Sequence, residues 1–181
     1  MRVLETQLPG VLIIEPQVFG DERGFFKESF QLSRYRELGI RDNFVQDNFS
    51  KSKRGVLRGL HFQTRQPQGK LVSCVDGAVY DVAVDITPSS ATFGCFVGVE
   101  LSGENHKQLW IPAGYAHGFC VVSETAIFHY KCTDFYDAGS EAGVRWDDVD
   151  IGIGWPCNEP QVSEKDKKLP SLQELVRSDA S

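Results

Sequence analysis

Residues 77–86 read GAVYDVAVDI. On an extended chain Tyr80, Val82, Val84 and Ile86 share one face, and Val79, Asp81, Ala83 and Asp85 share the other, because successive side chains of a strand point to opposite sides. A period of two, with one apolar and one mixed face, specifies a strand. The same texture recurs outward from this stretch. Short apolar runs lie at 11–18 (VLIIEPQV), 24–30 (GFFKESF), 55–63, 69–75, 93–101 (FGCFVGVEL), 107–111, 117–122 and 125–134, broken by Gly, Pro, Asn and Asp. Two segments have helical character. One is 30–38 (FQLSRYREL), with Gly39 as its C-terminal cap; the other begins at Ser171, which stands three residues before Glu174 as in a capping box. Many short strands with few helices predict an all-β sandwich, barrel or jelly roll with a few short peripheral helices.

A chain of 181 residues suits one domain, 1–181, with a core of about 3–157 and a tail with a short helix at about 158–181. No repeat, low-complexity segment or linker interrupts it. No apolar run approaches a membrane span, and MRVLETQLPG at the start lacks the apolar stretch of a signal peptide, so the expectation is a cytoplasmic protein without membrane contact. The five cysteines, Cys74, Cys95, Cys120, Cys132 and Cys157, are odd in number, well separated and form no CxxC pair. Reduced, partly buried thiols are expected. The formal charge of −6 argues against nucleic-acid binding. Yet residues 51–70 hold six basic side chains (Lys51, Lys53, Arg54, Arg58, Arg65 and Lys70) and no acid. A local positive patch on an acidic chain suits a small anionic ligand, or is a solvated basic loop.

Within that patch runs RGLHFQTRQPQGKLV, residues 58–72. On a strand His61 and Gln63 point away from Leu60 and Phe62. Two ligands at that spacing on a strand would suit a metal, but Gln63 is a poor ligand. IPAGYAHGF at 111–119 supplies a tight turn and His117, and in sequence no acidic residue stands near either histidine. A metal needs three or more such ligands, so no metal is expected.

PxGxxH at 112–117 matches the second motif of the cupins. RGLHFQ, QGKLV, GAVYDVAVDI, FVGVELS, QLWIPAGYAHGF, HYKCTDFY, GVRWDD, IGIGW and SEKD appear in order along the chain. Together, from about residue 3 to residue 166, they resemble the dTDP-4-dehydrorhamnose 3,5-epimerases, metal-free members of the cupin jelly rolls, also called double-stranded β-helices. The resemblance implies an isomerase that inverts C3 and C5 of dTDP-4-keto-6-deoxy-D-glucose to give dTDP-4-keto-L-rhamnose. Both carbons lie α to the C4 ketone, which serves as the electron sink, so no cofactor is implied. Such chemistry needs a base, a cation for the enolate oxygen and an acid on the opposite face.

The resemblance assigns these roles residue by residue. His61 falls where the family places its base, and Asp166 of SEKD where a carboxylate orients that base. Lys70 places an ammonium at the developing enolate, and Tyr130 of HYKCT returns the proton from the far side. Arg23 and Glu28 in DERGFFKES, Gln46, Asp47 and Asn48 in FVQDNFS, and Arg58 occupy substrate-binding positions. The two arginines suit the diphosphate, Glu28 the thymine N–H and Tyr136 a stack on the base. His117, Glu141 and Lys165 complete the set; for Glu141 and Lys165 plain surface charge remains open. A homodimer is also implied, and the apolar run Val11 to Ile14 offers an edge strand for it.

Strict alternation puts Arg58 on the face opposite His61, although both should meet the ligand; Gly59 between them permits a bulge. Thr87 stands where the family often has Arg, and Tyr115 where it often has Phe. Three alternatives stay open: a single-site C3 or C5 epimerase of a specialised deoxysugar pathway, a non-catalytic sugar-nucleotide-binding cupin, and a metal cupin, which Gln63 disfavours.

Overall fold

A computed structural model describes residues 1–179 of the chain. The N-terminal part forms β1 (Arg2–Glu5), β2 (Leu12–Glu15), β3 (Val18–Asp21), β4 (Gly24–Lys27) and the short helix α1 (Leu32–Glu37). The body consists of β5 (Gln46–Lys53), β6 (Val56–Gln63), β7 (Lys70–Asp76), β8 (Ala78–Asp85), β9 (Phe96–Ser102), β10 (Gln108–Ile111), β11 (Tyr115–Val121) and β12 (Thr125–Cys132). β13 (Glu141–Gly143), β14 (Gln161–Val162), a 3-10 turn at Asp166–Lys168 and α2 (Leu172–Asp179) follow.

Two antiparallel sheets make a jelly roll. The first runs β1-β2-β10-β7-β12-β5, and the second runs β13-β6-β11-β8-β9 with β14 added parallel to β6. Leu8, Val11, Val72, Val79, Leu101, Leu109, Phe119, Val121 and Phe128 fill the space between the sheets. Each such side chain contributes about 1.5–3 kcal/mol on full burial.

The stretch 77–86 forms β8, and both of its faces are buried. Val79 and Ala83 enter the core between the sheets, whereas Val82, Val84 and Ile86 pack under Val144, Ile151 and Leu172 of the C-terminal segment. The tail thus covers the outer face of the second sheet. Its helix α2 starts as the spacing of Ser171 and Glu174 predicts: the Ser171 N–H donates to Glu174 Oε2 (2.8 Å) and the Glu174 N–H to Ser171 Oγ (3.3 Å). Residues 180–181 of the expected domain lie outside the described residues.

Three expectations change. The run 11–18 is two strands, because Pro16 interrupts the ladder between β2 and β3. β2 is not an edge: it lies between β1 and β10, so Leu12 to Ile14 are paired on both sides. β5 was not expected as a strand at all. Its inward side chains Gln46, Asn48, Ser50 and Ser52 are polar, so no apolar period marks it.

Candidate functional site

The sandwich opens at one end into a cleft of about 590 Å³, lined by Arg58, His61, Lys70, His117, Tyr130, Lys165 and Asp166 among others. Sheet geometry places these groups on two facing walls. Lys70 and Tyr130 rise from β7 and β12 of the first sheet; Arg58, His61 and His117 rise from β6 and β11 of the second.

Arg58 and His61 share the cleft because β6 carries a bulge. His117 pairs with His61 and Phe119 with Arg58, so two steps on β11 oppose three on β6. Gly59 sits at the extra position with φ +122°, a conformation that favours glycine. A Cβ there would lie 2.6 Å from the Gly118 Cα, and a Cβ on Gly118 would lie 2.6 Å from the Arg58 carbonyl oxygen. Two glycines are needed for the strands to approach this closely, and the resulting kink re-aims Arg58 into the cleft. Ser52 Oγ then accepts from Arg58 Nε (3.3 Å) and Nη2 (3.1 Å).

Asp166 reaches His61 from the tail. Its Oδ1 lies 2.8 Å from His61 Nε2, and its Oδ2 accepts from the Gly59 N–H at 3.3 Å. The turn that presents it is fixed by the Asp166 N–H donating to Ser163 Oγ (3.1 Å). Burial alone would raise the Asp166 pKa. The hydrogen bond and charge of His61, with the Gly59 and Ser163 contacts, outweigh burial and hold the carboxyl below its ordinary range. An ionised Asp166 can only accept, so His61 Nε2 carries the proton in this contact and Nδ1 is the ring nitrogen not engaged by the carboxylate.

A second His–Asp pair lies beside the first. His117 Nε2 is 2.9 Å from Asp81 Oδ2, and its ring stacks on Phe128 at 6.1 Å between centroids. Each histidine therefore has a carboxylate partner, supplied from a distant part of the chain, which adjacency in sequence does not reveal. Among the described residues no group of three or more His, Cys, Asp or Glu side chains is placed to hold a metal ion.

Lys70 is buried at the start of β7, and its Nζ donates to the His61 carbonyl oxygen at 3.4 Å. Burial lowers its pKa; the Cys132, Asp81 and Glu141 groups oppose this without cancelling it. Burial, aided by Cys132, raises the Tyr130 pKa against the opposing charge of Arg58.

The rim is a connected polar set. Glu141 Oε2 accepts from both the Tyr136 hydroxyl and Lys165 Nζ. Gln46 Oε1 accepts from the Tyr136 N–H (2.9 Å), and Gln46 Nε2 donates to Asn48 Oδ1 (3.0 Å). Gln63 serves this rim: its amide bridges the Gln66 and Phe135 carbonyls and the Asp137 N–H, pinning the loop that carries Tyr136. Glu141 and Lys165, left open as surface charge, are joined at the mouth of the cleft. Burial raises the Glu141 pKa, but Lys165 and Tyr136 bring it below normal.

Three expected residues do not meet the cleft within this chain. Asp47 points to the outer face of β5, where it accepts from Lys131 Nζ at 2.7 Å. Arg23 pairs with Asp21 on the exposed β3–β4 hairpin, beside Phe19, Phe25 and Phe26. Glu28 accepts from Arg34 at 3.0 Å. Conversely, the sequence reading did not single out Asp81, Ser50 or Ser52. Asp81 was detectable as a carboxylate on the core-facing side of β8, where a buried charge requires a partner. Ser50 Oγ lines the cleft and is buried without a hydrogen-bond partner among the described residues. No local pattern marks it.

The sequence profile of the family described as dTDP-4-dehydrorhamnose 3,5-epimerase matches residues 5–174. A dTDP-4-dehydrorhamnose 3,5-epimerase from Shigella flexneri is 58% identical over 168 residues, covering 92% of this chain and 93% of that one. The structure of dTDP-6-deoxy-D-glucose-3,5-epimerase from Legionella pneumophila Philadelphia 1, in complex with dTDP-4-keto-L-rhamnose, superposes with a TM-score of 0.93 at 56% identity, covering 95% and 93% of the two chains. A 3'-monoepimerase from Streptomyces bikiniensis, in complex with dTDP-quinovose, superposes with a TM-score of 0.91 at only 31% identity, covering 96% and 89%.

Proposed function

Since the chain belongs to the dTDP-4-dehydrorhamnose 3,5-epimerase family, and so is a carbohydrate epimerase, we propose that the His61–Asp166 pair is the base that inverts C3 and C5 of dTDP-4-keto-6-deoxy-D-glucose to yield dTDP-4-keto-L-rhamnose. The observation that carries this reading is the 2.8 Å contact of Asp166 with His61 Nε2, in a cleft that also holds Lys70 and Tyr130.

His61 Nδ1 removes the proton α to the ketone, and the bond electrons pass into the carbonyl. Lys70 neutralises the enolate oxygen, where a charge in a sheltered site is worth far more than in water. Tyr130 delivers a proton from the other face. The two-wall geometry supports this division, since His61 and Tyr130 stand on opposite sheets. A raised pKa keeps the Tyr130 hydroxyl protonated at neutrality. Arg58, held by Ser52, binds the diphosphate, with Ser50 Oγ as an adjacent polar contact. Gln46, Asn48, Tyr136, Glu141, Lys165 and His117 complete the substrate-binding surface. No step requires a metal, because the C4 ketone of the substrate is itself the electron sink and Lys70 supplies the cation.

We further propose a cytoplasmic homodimer, with residues 1–181 forming a single domain. Arg23 and Glu28 lie outside this chain's cleft, while Phe19, Phe25, Phe26 and Phe49 are exposed. A second copy supplying its β3–β4 hairpin would cover these rings and bring Arg23 to the diphosphate. Light scattering that reports a monomer at micromolar concentration overturns this part.

Proton NMR of dTDP-4-keto-6-deoxyglucose with the enzyme in deuterium oxide tests the reaction. Exchange and inversion at both C3 and C5 are expected; inversion at one carbon alone would make this a monoepimerase. Tyr130→Phe should still exchange deuterium while inverting poorly, because protonated His61 returns a deuteron to the original face. Inversion at the wild-type rate removes Tyr130 as the acid.

A further inference from the structure

The cysteines hold a feature that the epimerase chemistry does not use. Cys120 Sγ and Cys157 Sγ lie 2.9 Å apart, and both are free thiols. We propose that Cys120 and Cys157 form a reversible intramolecular disulfide, a redox modification site that staples the C-terminal segment to the second sheet.

The geometry supports bonding without rearrangement. A disulfide needs the sulfurs at about 2.05 Å, so closure asks for less than about 1 Å of movement. Cys120 is fixed on β11, between Tyr80 of β8 and Leu57 of β6. Cys157 lies in irregular chain between Trp155 and β14, with no ladder to resist a small shift. The other thiols are placed differently. Cys74 Sγ donates to the Asp76 carbonyl at 3.1 Å, Cys132 Sγ accepts from Asn48 Nδ2 at 3.7 Å, and Cys95 is exposed on the turn before β9.

Burial orders the chemistry. Cys120 is fully buried, and burial, with Cys157 beside it, pushes its thiol up to about 12. Cys157 is half-buried and therefore the thiol that solvent reaches first. With a low-molecular-weight disulfide as oxidant, the Cys157 thiolate attacks one sulfur and forms a mixed disulfide, expelling one small thiolate. Cys120, its proton passing to solvent, then attacks Cys157 Sγ and expels the second. One small disulfide is reduced to two thiols, and two protein thiols become one bond.

The staple bears on the site through the segment that follows it. Eight residues separate Cys157 from Asp166. Across them the chain is held by the two-residue pairing of β14 with Val56 and Leu57 and by the Gln161 N–H on the Gly55 carbonyl (2.7 Å). Cys120 pairs with Leu57 on the same stretch of β6. The bond would anchor the segment just before it delivers Asp166 to His61, resisting local opening without entering the cleft.

Folded protein incubated with oxidised glutathione, then alkylated and digested without reduction, tests this. The expected result is loss of two thiols, a crosslinked peptide pair joining Cys120 to Cys157, and reversal by dithiothreitol. Closing this loop should raise Tm by about 5–15 °C, with kcat/KM unchanged at room temperature. Cys157→Ser should keep activity and lose both the crosslink and the Tm rise, whereas Cys95→Ser should retain both. Glutathione adducts without the crosslink, a crosslink that forms only in denaturant, or a crosslink without a Tm change would each overturn the proposal; the peptide map in the wild type decides even where a variant folds poorly.

Discussion

The cleft holds two His–Asp pairs on adjacent strands, with His61 of β6 directly opposite His117 of β11, yet their surroundings differ. The His61 side chain is 29% exposed and its Asp166 5%; His117 is 9% exposed and its Asp81 0%. Asp166 arrives on the tail and leaves Nδ1 of His61 open to the cleft. Asp81 comes from the centre of β8 and locks a ring that is stacked on Phe128. Residue type alone does not make a base: reach to the ligand does, together with a cation and an acid on the facing wall. On the proposed reading the more exposed His61 pair is the base, and the more deeply buried His117 pair binds and orients.

The sharpest break of this comparison is His61→Ala. Loss of roughly 10²- to 10⁴-fold in kcat/KM is expected for removal of a general base, with loss of deuterium exchange. If exchange persists at the wild-type rate, the base is elsewhere and the His117 pair becomes the candidate.

Lys70→Met separates catalysis from stability. If Lys70 meets the enolate as proposed, removing its charge should cost about 10²- to 10³-fold in kcat. Its depressed pKa means that the folded state binds this proton less well than the unfolded chain. That cost is fully present below the folded pKa and disappears as pH rises toward the ordinary lysine value. Lys70→Met should therefore raise Tm by a few degrees at pH 7, measured by calorimetry. A lower Tm would mean that Lys70 is structural.

Arg58→Ala should weaken dTDP binding by roughly 10- to 150-fold, the worth of a charge-assisted contact of about 1.5–3 kcal/mol. Unchanged affinity by titration calorimetry in a folded variant would remove Arg58 from the site.

The smallest effect compares the carboxylates by their pH dependence. Asp166 has a depressed folded pKa, so its contribution to stability is present above the unfolded value of about 3.9 and is lost as pH falls through the folded pKa. Denaturant midpoints measured from pH 7 to pH 3 should fall less steeply for Asp166→Asn than for wild type. The same variant should lower kcat, because an amide in that place no longer selects the tautomer with Nδ1 free. An unchanged acid limb would show that the Asp166–His61 pairing does not stabilise the fold.

The strands of the body were legible where one face is apolar. β8, β10, β11 and β12 fall within or close to their expected ranges, and the capping box at Ser171 forms as spaced. β5 was not legible, because the face it turns inward meets a polar cleft rather than a hydrocarbon core; the hydrophobic period that marks a strand is absent where a strand lines a site. The ordered motifs named His61, Lys70, Tyr130 and Asp166 as one centre. Alternation alone would have separated Arg58 from His61, and no residue-level pattern pairs Asp81 with His117 or Cys120 with Cys157.

By itself the sequence determined the β-class, the family, the basic stretch in an acidic chain and the titratable side chains that the cleft gathers, because propensity, period and ordered motifs are local properties of the chain. Only the tertiary structure decided which wall each group occupies, that Gly59 and Gly118 let a bulge turn Arg58 inward, that the tail returns Asp166 to His61, and that Arg23 and Glu28 stand outside their own chain's cleft. Those outcomes depend on register and close approach between segments up to 107 residues apart, and such contacts form only when the two sheets close over a common core.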